Sequence, residues 1–88
     1  MAQINLTEDP MDLLLNTLHS LIMNRQIYNR LRNEPNYNIG NNNAVFACLD
    51  NGIDNLMNRL NNENIRNSMD IRQRTLWNYI NGIINTNL

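Results

Sequence analysis

The chain has 88 residues, a formal net charge of −1 and a mean hydropathy of −0.51. This length predicts one small soluble domain over residues 1–88, and the weakly acidic balance disfavours an unaided nucleic-acid binder, which is usually basic. Cys48 is the only cysteine, so an internal disulfide and a cysteine-based zinc site are both excluded.

The first predicted helix begins at Asp9 and Pro10. Asp9 can accept hydrogen bonds from the first free amides, Pro10 suits the first helical position, and Asp12 adds favourable negative charge in the first turn. Pro35 ends the pattern, so we expect a helix to about residue 32 or 33. Its apolar positions recur with a helical period: Met11, Leu14, Leu15, Leu18, Leu21, Ile22, Ile27, Tyr28 and Leu31.

Residues 36–43 form the clearest predicted loop, with Gly40 near its middle. Tyr37 and Ile39 are expected to fold back onto the core. Asn43 is expected to cap a second helix that runs to about residue 60. The apolar positions of that helix share one face: Val45, Leu49, Ile53, Leu56, Met57 and Leu60.

Asn51 and Gly52 lie within the second predicted helix and allow two interpretations. A turn at this point would divide it into two short helices. Gly52 is also in phase with the apolar face, where the absence of a side chain lets another helix approach closely. We favour the continuous helix.

The third predicted helix follows a polar connection over residues 61–67, with Asn62 and Ser68 as competing caps. It starts at Ile65 or at Met69, and Gly82 is expected to mark fraying before the last residues. Its apolar positions include Leu76, Trp77, Ile80, Ile83 and Ile84. Three helices with short connections, and no alternating strand pattern, predict an all-α fold arranged as a three-helix up-down-up bundle.

No predicted set of residues is suited to catalysis, which needs a nucleophile, a base and a charge stabiliser that converge. His19 is the only histidine and is expected on the surface or partly buried. Cys48 is expected to behave as a small buried hydrophobic residue. Capping accounts for the acidic residues Glu8, Asp9 and Asp12. We therefore expect no enzyme, no cofactor, no bound metal and no small-molecule substrate.

Excess apolar surface predicts protein partners. The first and third helices carry more apolar residues than one narrow face holds, which is typical of helices that meet a second protein. Three arginines lie near the start of the third helix, where the helix dipole disfavours cations, so a partner can explain them. The predicted partner-binding residues are Leu14, Ile22, Ile27, Arg66, Arg72, Arg74, Trp77 and Ile84.

Two functions follow from these residues. The first is a structural or adaptor subunit that packs by its helices into a homo-oligomer or a larger assembly. The alternative is a nucleic-acid-binding regulator, because arginine and asparagine read base edges and an arginine-bearing helix after a short turn fits a helix-turn-helix. Against it, eight carboxylates would weaken phosphate attraction, and the arginines can instead pair with Glu63, Asp70 or neighbouring chains.

The composition is unusual, with 21 asparagines, seven arginines and no lysine in 88 residues. Asparagine is a poor helix former, so packing rather than intrinsic propensity must hold the helices. In composition alone, without any shared motif, the chain is similar to small structural proteins of large DNA viruses. That similarity implies packaging in a virion as one possible location.

The expected location is otherwise intracellular, in the cytoplasm or the nucleus. The longest purely apolar runs are residues 13–15 and 21–23, whereas a membrane span needs about 20 residues. The first thirty residues hold no basic segment followed by an uninterrupted apolar stretch, so no secretory signal is predicted. The glycosylation sequon at residues 5–7 is therefore expected to be unused.

Overall fold

The computed structural model describes residues 9–36 and 43–87, and these residues contain four helices and no strand. In chain order the helices are α1 (Pro10–Arg32), α2 (Asn43–Leu60), α3 (Glu63–Asn67) and α4 (Ile71–Asn87). The predicted all-α class is confirmed. The predictions for Tyr37, Ile39 and the sequon at residues 5–7 lie outside the described residues. None of the described helices is long and apolar enough to cross a membrane.

Both ends of α1 lie where the sequence predicts them. An Asp9 carboxylate oxygen accepts a hydrogen bond from the Met11 amide at 2.9 Å, and Pro10 is the first helical residue. At the other end, the Asn33 amide donates to the Arg30 carbonyl and the Glu34 amide donates to the Leu31 carbonyl. These bonds satisfy backbone groups that have no partner inside the helix.

Helix α2 is continuous through Gly52, as the sequence favours. A β-carbon built at Gly52 would lie 3.0 Å from the Leu21 Cδ1 atom of α1. That separation is tighter than an ordinary van der Waals contact, so the glycine permits the close approach of α1 and α2 without breaking the helix.

Two arginines of α1 flank the aromatic ring of Phe46, which lies near the start of α2. The guanidinium carbons of Arg25 and Arg32 lie 5.5 and 4.6 Å from the ring centroid. Arg25 also forms an ion pair with Asp50 one turn further along α2. Cation–π contacts of this kind fix the last turns of α1 against the first turns of α2.

The third predicted helix is two helices in the structure, because residues 68–70 form a turn. The Asn62 side chain accepts from the amides of Asn64 and Ile65 and starts α3. The Ser68 hydroxyl donates to the Ile65 carbonyl at 2.7 Å and belongs to the end of α3, so it caps no long helix. Helix α4 starts instead after Asp70 and continues past Gly82, which does not end it.

The core lies between α1 and the two helices α2 and α4, which pack on either side of α1. Its fully or nearly fully buried members are Leu15, Leu18, Ile22, Ile53, Leu60, Met69, Trp77 and Ile80. The most extensive helix contacts are those of α1 with α2 and with α4. The contacts between α1 and α2 pair late residues of α1 with early residues of α2. The contacts between α1 and α4 follow the same order along both helices: Asp12 contacts Arg72, and His19 contacts Tyr79.

Candidate interaction surfaces

A polar cluster joins the start of α1 to the start of α4, and Gln73 is its centre. The backbone amide of Gln73 donates to an Asp70 carboxylate oxygen at 2.7 Å, while the Gln73 side-chain oxygen accepts from the backbone amide of Asp70 at 3.0 Å. This reciprocal pair is a capping box. The Gln73 side-chain nitrogen donates to Asp9 at 2.9 Å and to Asp12 at 3.0 Å. Gln73 is only 2% exposed, so the cluster satisfies an amide buried between two helices.

Arg72 completes the polar cluster from its solvent side. Its guanidinium donates to Asp12 at 2.9 Å and lies 3.7 Å from an Asp70 carboxylate oxygen. The hydrogen bond from Arg72, reinforced by that from Gln73, lowers the pKa of Asp12, and the same bond raises the pKa of Arg72. Capping therefore does not account fully for Asp9 and Asp12, and Arg72 has a carboxylate partner within its own chain.

The lowered pKa of Asp12 predicts a contribution to stability that acid removes. The folded state binds a proton at Asp12 less readily than the unfolded state does. The contribution of Asp12 to stability is therefore complete above the ordinary aspartate pKa of about 4, and it disappears as pH falls through the lowered pKa of the folded state. We expect the urea midpoint of Asp12→Asn to vary less than that of wild type between about pH 5 and about pH 2. Equal variation in both proteins would contradict this role for Asp12.

Arg66 and Arg74 differ from Arg72, because neither has a carboxylate within ion-pair distance in the described parts of the chain. Arg74 donates to the Arg66 carbonyl at 3.3 Å, and the Arg66 guanidinium donates to the Asn61 side chain. Arg74 is exposed and Arg66 is half-buried. Arg72, Arg74 and Asn78 line one cavity of about 660 Å³ beside the turn between α3 and α4. Two cations near this turn therefore have no carboxylate partner among residues 9–36 and 43–87.

A second surface, which we call the outer face of α1, carries apolar side chains away from the core. It comprises Leu13, Ser20, Met23 and Ile27, with Leu13 49%, Met23 37% and Ile27 50% exposed. Helical periodicity places these positions opposite the fully buried Leu18. Exposed Asn16, Thr17 and Asn24 lie among these positions, so the outer face is a mixed surface with three exposed apolar side chains that neither α2 nor α4 covers.

The predicted partner-binding residues divide between surface and core. Ile22 and Trp77 lie in the core of the chain itself, so they are unavailable to a partner in this fold, and their prediction as partner contacts is corrected. The chain buries this surface without help because α1 packs against helices on both sides. Leu14 and Ile84 are half-buried against the same core, whereas Ile27, Arg72 and Arg74 are exposed.

His19 and Cys48, the single histidine and the single cysteine of the chain, lie apart from the polar cluster. His19 is partly buried, as predicted, and its ring centroid lies 5.8 Å from that of Tyr79. Cys48 is exposed, which corrects its predicted burial, because its position on α2 falls outside the face that packs on α1. No three histidine, cysteine or acidic side chains are grouped for metal binding in residues 9–36 and 43–87.

Sequence reasoning missed Gln73. The spacing Asp70-x-x-Gln73 is a capping-box pattern and could have identified the start of α4. An apolar surplus on the first helix was predicted, and the structure leaves Leu13, Met23 and Ile27 of that helix exposed. Comparison of the chain with known protein families, with curated proteins and with solved structures finds no match.

Proposed function

We propose that this chain is a non-catalytic structural or adaptor subunit that assembles with protein partners by helix packing. The order of contacts along α1, α2 and α4 supports an up-down-up scaffold of three long helices, to which α3 adds a short turn of helix. The assembly is a homo-oligomer or a larger complex. The lysine-free, asparagine-rich composition favours a virus particle as the setting.

The exposure of the outer face of α1 is the observation that carries this proposal. Leu13, Met23 and Ile27 lie on the central helix, which is otherwise the most thoroughly packed element of the chain. Apolar side chains grouped on one exposed helix face provide the anchors that helix-mediated recognition uses. By contrast, Asp9 and Asp12 are already occupied by hydrogen bonds that hold α1 to α4, and Asp70 is occupied by the capping box at the start of α4.

The proposal is tested by retention of partner proteins on immobilised chain. Wild type and the double variant Leu13→Gln, Ile27→Gln are compared as baits, and retained proteins are identified by mass spectrometry. Ile71→Gln is the matched control, because Ile71 is 86% exposed but belongs to α4 and not to α1. We expect a defined partner with wild type and the control that the double variant loses. Identical retention by all three baits, with circular dichroism showing each folded, would overturn the proposal.

A nucleic-acid-binding regulator is the second candidate, favoured by the turn between α3 and α4. Residues 68–70 join the two helices, and Arg66 and Arg74 near this turn lack carboxylate partners in the described chain. The acidic residues of the polar cluster lie beside them and weaken attraction to phosphate. Gel-shift assays at two salt concentrations test this function. A salt-sensitive shift that Arg66→Ala, Arg74→Ala abolishes would favour it, and no shift at low salt would exclude it.

A further inference from the structure

We infer that two copies of this chain exchange α3 and α4, so that α4 of each copy packs on α1 of the other in a domain-swapped dimer. This exchange rests on the proposed function, because it makes a second copy the partner of the helix packing proposed there. The outer face of α1 takes no part in it. Three features support the exchange: how α4 is held, how short the connection after α2 is, and which hydrogen bonds that connection makes.

Helix α4 is held in place mainly by α1. Among the described helices, the extensive contacts are those of α1 with α2 and of α1 with α4, and α2 shares no extensive contact with α4. The polar contacts between α1 and α4 join Gln73 to Asp9 and Asp12, and Arg72 to Asp12. A second copy presents an identical α1, with the same carboxylates and the same buried apolar residues. Every contact between α1 and α4 can therefore form between two copies, and the charges engaged in the monomer stay engaged in the dimer.

The connection between α2 and α3 is short and can become helical. Only Asn61 and Asn62 separate the two helices. Helical hydrogen bonds already reach both residues, because the Asn61 amide donates to the Met57 carbonyl at 2.8 Å and the Arg66 amide donates to the Asn62 carbonyl at 2.9 Å. Residues 61–70 contain neither glycine nor proline. A helix that continued through residues 61–62 would join α2 to α3 and carry α4 away from its own α1.

The cap at Asn62 holds this connection in its bent form. Asn62 is extended, with φ −133° and ψ 130°, and its side chain accepts from the amides of Asn64 at 2.8 Å and Ile65 at 3.4 Å. In a continuous helix these two amides would donate to the carbonyls of Leu60 and Asn61 instead. Helix α3 has no buried residue, so it adds little to the bent form. The bent and continuous forms therefore differ in few interactions, and chain concentration decides between monomer and dimer.

Conversion between monomer and dimer is expected to be slow. Helix α4 leaves its own α1 only when Trp77 and Ile80, both buried in the core, become exposed and the hydrogen bonds of Gln73 open. An opening of this extent approaches global unfolding. A dimer that formed between two folded surfaces would dissociate without such an opening, so slow conversion distinguishes the exchanged dimer from surface docking.

Refolding at two chain concentrations tests the exchange. The chain is unfolded in urea, refolded at about 10 µM and at about 1 mM, and diluted before size-exclusion chromatography. We expect a dimer after refolding at the higher concentration only, and this dimer should persist on dilution because conversion is slow. A monomer after refolding at both concentrations, or a dimer that dissociates at once on dilution, would overturn the inference.

Substitutions at the connection test its role. Proline is suited to the first helical position, which Glu63 occupies in α3, and the extended Asn62 has the conformation that a following proline requires. A helix through residues 61–62 would be broken by the same proline, so Glu63→Pro should lower the ratio of dimer to monomer at least about tenfold. The matched control Glu63→Ala should dimerise like wild type. Asn62→Ala removes the cap and should raise the ratio about tenfold. Equal ratios for Glu63→Pro and Glu63→Ala, or no increase for Asn62→Ala, would contradict the exchange.

Cross-linking identifies the helices that exchange. The ring centroids of His19 on α1 and Tyr79 on α4 lie 5.8 Å apart, within reach of a short bifunctional maleimide. In a Cys48→Ser background, chosen because Cys48 is exposed, His19→Cys and Tyr79→Cys chains refolded together should give a mixed covalent dimer. Neither variant alone should do so, and the two variants folded separately and then mixed are the control. Equal product in that control would overturn the exchange. A chain that stays monomeric but retains another protein would overturn this inference alone and leave the proposed function standing.

Discussion

Leu18→Asp is expected to unfold the chain. Leu18 has no exposed surface and lies between Leu15 and Ile22 in the core that α1 shares with α2 and α4. The substitution removes the packing of a buried leucine, at a cost of about 2–5 kcal/mol, and adds a carboxylate with no partner in an apolar environment. A domain of this size has a stability of only about 5 kcal/mol, so the sum exceeds its margin.

The matched control is Leu13→Asp, which makes the same chemical change five residues earlier on the same helix. Leu13 is half exposed, and a carboxylate in the first turns of α1 interacts favourably with the helix dipole. Circular dichroism should show helical signal and a cooperative melt for Leu13→Asp and neither for Leu18→Asp. A cooperative melt of Leu18→Asp near the wild-type temperature would mean that the core lies elsewhere.

Gln73→Ala is expected to destabilise the chain by about 2–4 kcal/mol. The substitution removes two hydrogen bonds to carboxylates, removes one half of the capping box at the start of α4, and leaves a small void. Asp9 and Asp12 would also lose their shared donor from α4. Urea unfolding followed by circular dichroism measures the loss directly.

Asn78→Ala is the control for Gln73→Ala, because Asn78 lies on the same helix but is exposed. We expect it to be neutral or slightly stabilising, since alanine is the better helix former. A double-mutant cycle with Asp12→Ala should give a non-zero coupling energy if Gln73 acts through that carboxylate. Additive effects would show instead that Gln73 acts through Asp9 or through the cap of α4.

Helix boundaries were predictable where a local chemical signal sets them. Asp9 and Pro10 define the start of α1 through the cap and the first helical position, and both depend on residues adjacent in sequence. A close approach of another helix at Gly52 could be predicted because Gly52 is in phase with the apolar residues of α2. In each of these cases, the physical cause lies within a few residues of the element that it shapes.

Predictions failed where the outcome depends on residues distant in sequence. Nothing near Gln73 indicates that a glutamine will be buried, because its two carboxylate partners lie 64 and 61 positions away. In an isolated helix the dipole would disfavour Arg72 near the start of α4. In the structure, however, Arg72 contacts Asp12 on another helix. Likewise, the total apolar surface of α1 and α4 did not show which residues would cover each other.

The contact between α1 and α4 also bears on the order in which the molecule is made. Translation completes α1 and α2 before α4, and these two helices can pair through Leu21 and Gly52 as soon as both exist. Until α4 arrives, the part of α1 that packs with Trp77 and Ile80 stays open to solvent. The nascent helical pair therefore exposes an apolar surface that the last helix closes, and during that interval it is most open to chaperones and to mispairing with other chains.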